Sequence, residues 1–246
     1  MAEERPLIEP RRIPGDPKIT FPLLLVLFGP YMDILRKETG LEESAGKRLR
    51  FPSLDYYETS LQGRRFAFAG TPLGAPHAAI ALERFIAMGA REILAFGCCG
   101  SLQPDLHVGH FVVPTEALSE EGTSAHYPLA KGIRAKADGQ IVRLLKGKCQ
   151  EKNCKTAAGK VWTTDALFRE TGSKVKRYSA RGLIAVEMEM SALFTIAAYR
   201  NVRLGGLMVV ADELARLKWK PGFLNPLFWS TSQKAARVVI EACLDL

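Results

Sequence analysis

The chain has 246 residues, with 34 Lys and Arg against 26 Asp and Glu, a formal charge of +8 and 47% hydrophobic residues. That length suits one undivided α/β domain, and no apolar run reaches the roughly 18–20 residues that a membrane span needs. The five cysteines, with Cys98 and Cys99 adjacent, do not make a disulfide framework. The N-terminus lacks a secretory pattern, so a cytoplasmic location is expected. The positive charge admits nucleic acid, a membrane surface or an anionic small molecule as partner. Its basic residues are scattered apart from clusters at 47–50 and 174–177, and no nucleic-acid module is present. Neither a nucleic-acid nor a membrane partner is expected.

Residues 1–20 hold four prolines and no hydrophobic period, which predicts an extended arm before a domain over 21–246. The apolar run 23–28 reads as a first strand, and Gly29-Pro30 turns the chain into a helix over 31–39. A hairpin is centred on Leu61-Gln62-Gly63, with 65–69 as its second strand. Gly74 and Pro76 open a helix whose apolar residues Ala79, Leu82, Phe85 and Ile86 recur at helical spacing. Residues 93–96 form a buried strand ending in the Gly97-Cys98-Cys99-Gly100 turn, with another strand at 111–113. Then follow a helix at 138–150, a strand at 157–162, a helix at 191–199, a strand at 206–210 and a closing helix at 232–244. Strands alternating with helices predict an α/β fold: a single domain with a central mixed, mostly parallel sheet flanked by helices.

Chemistry concentrates in two runs. In Val186-Glu187-Met188-Glu189 the glutamates are two apart, so extended backbone puts them on one side. Asp212 ends the apolar run 207–211, which reads as a buried strand. Open α/β sheets bind ligands beyond the carboxyl ends of such strands. Carboxylates gathered there suit a polyhydroxylated ring and a leaving group that departs with a proton. A strand-end Asp also serves as a helix N-cap, and Glu187 fits a salt bridge as well as a ligand contact.

Four segments together resemble the nucleoside phosphorylase family of purine and uridine phosphorylases and adenosine-type nucleosidases. They are TPLGAPHAAIALERFIAMGA at 71–90, LAFGCCGSLQPDLHVGHFVVP at 94–114, VEMEM at 186–190 and MVVADEL at 208–214. The resemblance implies cleavage of an N-glycosidic bond without a cofactor or catalytic metal, in a homo-oligomer acting on a small-molecule nucleoside and, in phosphorylases, on phosphate. It assigns Glu189 to the ribose hydroxyls, Met188 to the underside of the sugar and Asp212 to general acid catalysis at N7 of a purine-like base. Glu187 is a further substrate-side carboxylate, and Trp162 is the preferred stacking partner for the base. Gly29, Gly97, Cys98 and Gly100 form the expected nucleophile or anion pocket, through backbone amides at 97–100.

The departures from the family pattern bear on the nucleophile. Where phosphorylases of the family carry three arginines, this chain has Asp33, about Pro52 and Ala95. A phosphate dianion without cations faces a desolvation penalty of several kcal/mol. Hydrolytic members place a glutamate near Asp33, so water is expected as the nucleophile with Asp33 as its base. The alternatives are phosphorolysis giving ribose 1-phosphate, and nucleoside binding without turnover.

Overall fold

Leu23–Val26, four apolar residues buried on both faces, form strand β1 in the middle of the sheet. The computed structural model describes residues 6–50 and 53–246. Parallel neighbours of β1 are β4 (Arg64–Gly70) and β5 (Glu92–Ser101). Strand β3 (Asp55–Leu61) runs antiparallel to β4 through Gln62 and Gly63, whose φ values of 53° and 75° suit the tight turn of a hairpin. The short β2 (Lys47–Arg48) extends that edge.

On the other side of β1, five strands close on themselves. Strand β5 pairs in parallel with β9 (Arg203–Glu213), and β9 pairs antiparallel with β6 (Phe111–Glu120). Next to β6 come β7 (Thr156–Thr164) and β8 (Leu183–Glu187), both parallel, and β8 returns antiparallel to the end of β5. The two-residue β10 (Lys220–Pro221) pairs with the end of β9. The ring gathers the final residues of β5, β8 and β9 at one rim, where Gly100 faces both Val186 and Asp212.

Helices cover both faces of this mixed sheet. One apolar core joins it to α2 (Ala75–Ala87) and α5 (Met190–Tyr199), which pack on each other. A second core on the opposite face includes α1 (Pro30–Thr39), α3 (Gly139–Glu151) and α6 (Pro226–Leu244). Helix α4 (Gly172–Ala180) contributes Val175 and Tyr178 to a smaller cluster with Trp162 and Leu183. Among the described residues, no helix is long and apolar enough to cross a membrane.

The segment before β1 is tied to α2. Asp16 and Arg84, both buried, form an ion pair at 2.6 Å. Ile19 is fully buried, and its amide donates to the Met88 carbonyl. Of the arm expected over 1–20, residues 1–5 lie outside the described residues, as does Pro52.

Two local expectations are corrected. Residues 97–100 are not a turn but the continuation of β5 in its ladder with β9, with a register shift between Cys99 and Gly100. The residues 186–189 are not extended throughout either. Strand β8 stops at Glu187, and Glu189 is the N-cap of α5 with φ −137° and ψ −33°.

Candidate active site

Helix α5 begins in the rim, and its first amides need acceptors. Glu187 supplies them: one carboxylate oxygen accepts from the amides of Glu189 and Met190, each at 2.7 Å, and the other from the Thr163 hydroxyl. The same hydroxyl accepts from the amide of Ser191 at 3.0 Å. Both oxygens of Glu187 are therefore occupied by protein. Its expected contact with substrate is corrected to a cap on α5.

The turn at Met188 sends the second glutamate elsewhere. Glu189 is 4% exposed, and its Oε1 accepts from the Gly74 amide at 2.7 Å. Gly74 has φ +100° and ψ 156°, a region closed to residues with a Cβ, so this close approach needs glycine. Glu187 and Glu189 are buried beside each other, and desolvation pushes both carboxyls upward, with the charge of Glu187 adding to the effect on Glu189. Met188, between them, is half-buried at the rim.

Asp212 enters from the end of β9. Its Oδ2 accepts from Trp219 Nε1 at 2.9 Å, while Oδ1 lies beside Gly100, where a Cβ would stand 3.3 Å away. Burial raises the Asp212 carboxyl above the ordinary aspartate range, and the indole N–H opposes that rise. The Cys98 thiol feels both carboxylates. It is raised first by its burial and then by the charges of Glu189 and Asp212, so it lies within electrostatic reach of both. Glu189, Asp212 and Cys98 thus share one rim at the ends of β8, β9 and β5.

Glu170, which the sequence did not mark, stands just before α4 with its carboxyl pushed up to about 7. Desolvation is the first cause and the charge of Asp212 the second, with Lys174 opposing them. The rim is therefore rich in carboxyls that burial favours in the protonated form. Trp219 and Gly74 are likewise partners of the key carboxylates that spacing alone did not reveal.

Three further expectations are corrected. Trp162 is fully buried; its indole donates to Glu120 at 3.1 Å, and its ring lies 4.7 Å from that of Tyr178, so it has no free face for a base. Asp33, expected as the base for water, instead forms an exposed ion pair with Arg36 at 2.5 Å, one turn along α1. The residues 97–100 do not form an amide nest, because their glycines serve close packing. A Cβ on Gly97 would meet Leu27 and Met208 at 3.1 Å each, and one on Gly100 would meet Leu214 at 2.7 Å.

Gly29 caps α1 with nothing near the place of its missing Cβ. The residue before it is apolar: Phe28 lies 6.3 Å, ring to ring, from both Phe223 and Trp229. Ala95, in β5, is wholly inside the core. A cavity of about 320 Å³ beside the rim is lined by Pro104, Glu213, Arg216 and Trp219 among others. A larger one of about 870 Å³ lies apart, between residues 6–13, Ile80, Tyr127 and Tyr199, and none of the rim carboxylates lines it. Among the described residues, no group of three His, Cys, Asp or Glu side chains is placed to hold a metal ion.

A family model described as the phosphorylase superfamily matches residues 24–245, nearly the whole domain. The chain belongs to the phosphorylase superfamily. Curated relatives in the superfamily include a guanosine phosphorylase of Halorubrum lacusprofundi, 32% identical over 155 residues, which are 63% of this chain and 64% of that protein. A DeoD-type purine nucleoside phosphorylase of Myxococcus xanthus is 29% identical over 63% of this chain and 65% of its own length. A uridine phosphorylase of Treponema pallidum is 29% identical over 70% of this chain and 69% of its own length. The chain thus spans less than two thirds of the first two relatives it matches. The fold is also that of the purine nucleoside phosphorylase of Toxoplasma gondii solved with immucillin-H, with a TM-score of 0.78 over 97% of this chain and 91% of that one, at 19% identity.

Proposed function

We propose that this chain cleaves the N-glycosidic bond of a purine-like nucleoside, with phosphate as the acceptor. The observation that carries the reading is the strand pairing that sets Gly100 opposite both Val186 and Asp212, which brings Asp212 and the Glu187–Glu189 segment to one rim. Oε1 of Glu189 is anchored by the Gly74 amide, and the carboxylate fixed in this way is read as the acceptor for the ribose 2′- and 3′-hydroxyls. Hydrogen bonds to an ionised carboxylate contribute about 1.5–3 kcal/mol each. They also favour the charged form of a group that burial alone keeps protonated.

Asp212, raised by burial, carries the proton that the departing base needs at N7. As the C1′–N9 bond breaks, its electron pair goes to the base, the Asp212 proton goes to N7, and an oxygen of the acceptor bonds to C1′. The sugar passes through a state of oxocarbenium character, and the negative charge of Glu189 stabilises it. The acceptor is taken as phosphate because the relatives at 29–32% identity carry phosphorylase names. This reverses the order expected from the missing arginines, and the exposed ion pair of Asp33 with Arg36 gives the hydrolytic reading no support.

Hydrolysis stays as the second reading because of one observation. No cation stands at two of the expected positions: Ala95 is buried in the core, and Gly29 is preceded by the apolar Phe28. The test is base release from a set of purine and pyrimidine nucleosides, in phosphate buffer and in buffer free of it. Phosphorolysis predicts release only with phosphate, accompanied by a pentose 1-phosphate. Equal release in both buffers identifies water as the acceptor, and no release in either identifies a binding relative without turnover.

A further inference from the structure

Trp219 stands on the hairpin between β9 and β10. Pro221 pairs with Asp212 and Lys220 with Glu213, so the chain folds back and sets residue 219 beside the end of β9. The hairpin bends through Leu217 at φ +58°, a left-handed conformation that a leucine adopts at a cost in strain. The Trp219 side chain gains little from burial, since the residue is 61% exposed. Its one polar atom nevertheless donates to Asp212 at 2.9 Å. An indole N–H donates only and has no acceptor capacity. The oxygen it contacts must present a lone pair, and the carbonyl oxygen of a carboxyl is the better acceptor, so a proton on this group is favoured on the other oxygen.

We propose that Trp219 is the positioning residue for Asp212: its N–H reserves Oδ2 as an acceptor and leaves the transferable proton on Oδ1, on the Gly100 side of the rim. This rests on the reading of Asp212 as the general acid. It also gives the exposed hairpin a means of setting the acid's state, because the hydrogen bond favours the carboxylate against its burial. Among the described residues, Glu170, Cys98 and Cys99 lie within electrostatic reach of Asp212. Lys220 and Glu213, the next pair in the hairpin, are joined at 3.0 Å.

Two measurements on the intact protein test it. The first needs no turnover: the indole ¹⁵N–¹H resonance of Trp219 is followed with pH in the wild type and in Asp212→Asn. The proposal expects a titration in the wild type that vanishes in the variant; a resonance that ignores pH, or titrates equally in both, overturns it. The second compares Trp219→Phe with wild type on a purine nucleoside and on its N7-methylated counterpart, which leaves without protonation at N7. The expected loss on the ordinary nucleoside is roughly tenfold or more in kcat, part of the ~10²–10⁴ that a positioned acid supplies, with KM little changed. The alkaline limb should move to higher pH, and the methylated substrate should be cleaved nearly as fast as by wild type. An unmoved limb with equal losses on both substrates overturns the positioning role. Because the side chain is exposed, phenylalanine there empties no core. Failure of the wild type to cleave any nucleoside, with the indole titration intact, would sink the functional reading and not the hydrogen bond.

Discussion

Glu189 and Gly74 lie 115 residues apart, yet the carboxylate oxygen of one accepts the amide of the other at 2.7 Å. The bond ties the start of α2 to the start of α5. It exists because residue 74 takes φ +100°.

Gly74→Ala is therefore expected to cost about 1–3 kcal/mol from backbone strain alone. A Cβ there has room, meeting only the Pro76 ring at 3.9 Å. Crowding adds nothing, so the strain and the displaced amide are the whole effect. Denaturant unfolding should show the loss in stability, and KM for nucleoside should rise more than kcat falls. An unchanged KM would mean that Glu189 does not hold the sugar from this anchor.

Glu170 gives a pH signature. Burial pushes its carboxyl up to about 7 in the folded chain, from an ordinary value of 4.5. A raised carboxyl contributes stability that is complete below the unfolded value and is lost as pH rises through the folded one. Wild type should therefore lose stability relative to Glu170→Gln between pH 4.5 and about 7, with the difference level above that. Urea midpoints for the two proteins across that range check it. A difference that grows as pH falls would reverse the sign and show that Glu170 is not held by burial in its protonated form.

Much of this was legible in the chain, for identifiable reasons. The run LLLV reads as a doubly covered strand because burial on both faces permits no polar alternation, and β1 is that strand. Glu189 and Asp212 stand out because carboxylates that directly follow apolar runs have few structural uses. Other features escaped because their causes are distant in sequence. The glutamates of VEMEM look equivalent in extended backbone, and only the start of α5 at Met190 separates a helix cap from a rim carboxylate. GCCG reads as a turn by composition, whereas its glycines make room for Leu27, Met208, Val186 and Leu214 from other elements. Trp162 looked available for stacking because α4, which brings Tyr178 over it, was not foreseen.

Cys98 and Asp33 test the corrected assignments from the other direction. Burial and two nearby carboxylates push the Cys98 thiol far up, so almost no thiolate exists near neutrality. Iodoacetamide should label it slowly at pH 7.5, much more slowly than a free cysteine, and Cys98→Ser should keep kcat within several-fold. Asp33→Asn breaks only an exposed pair with Arg36, and such pairs contribute about 0–1 kcal/mol. Its base-release rate should match wild type. A loss of two orders of magnitude would restore Asp33 as the base for water.

Glu187 and Glu189 should separate stability from activity. Glu187→Ala strips acceptors from two amides of α5 and from the Thr163 hydroxyl, all of them buried. Each unsatisfied buried donor costs roughly 1–3 kcal/mol, partly relieved where water can enter, so unfolding should shift clearly to lower denaturant. Glu189→Gln keeps an oxygen for the Gly74 amide and removes only the charge. Its stability near neutrality should hold or improve, because folding no longer has to protonate or desolvate a carboxylate that burial disfavours. Its kcat/KM should fall by at least a hundredfold, as expected when a charge opposite an oxocarbenium-like centre is lost. Equal stability losses in the two variants, with activity falling in proportion, would make both glutamates structural and leave the sugar without its carboxylate.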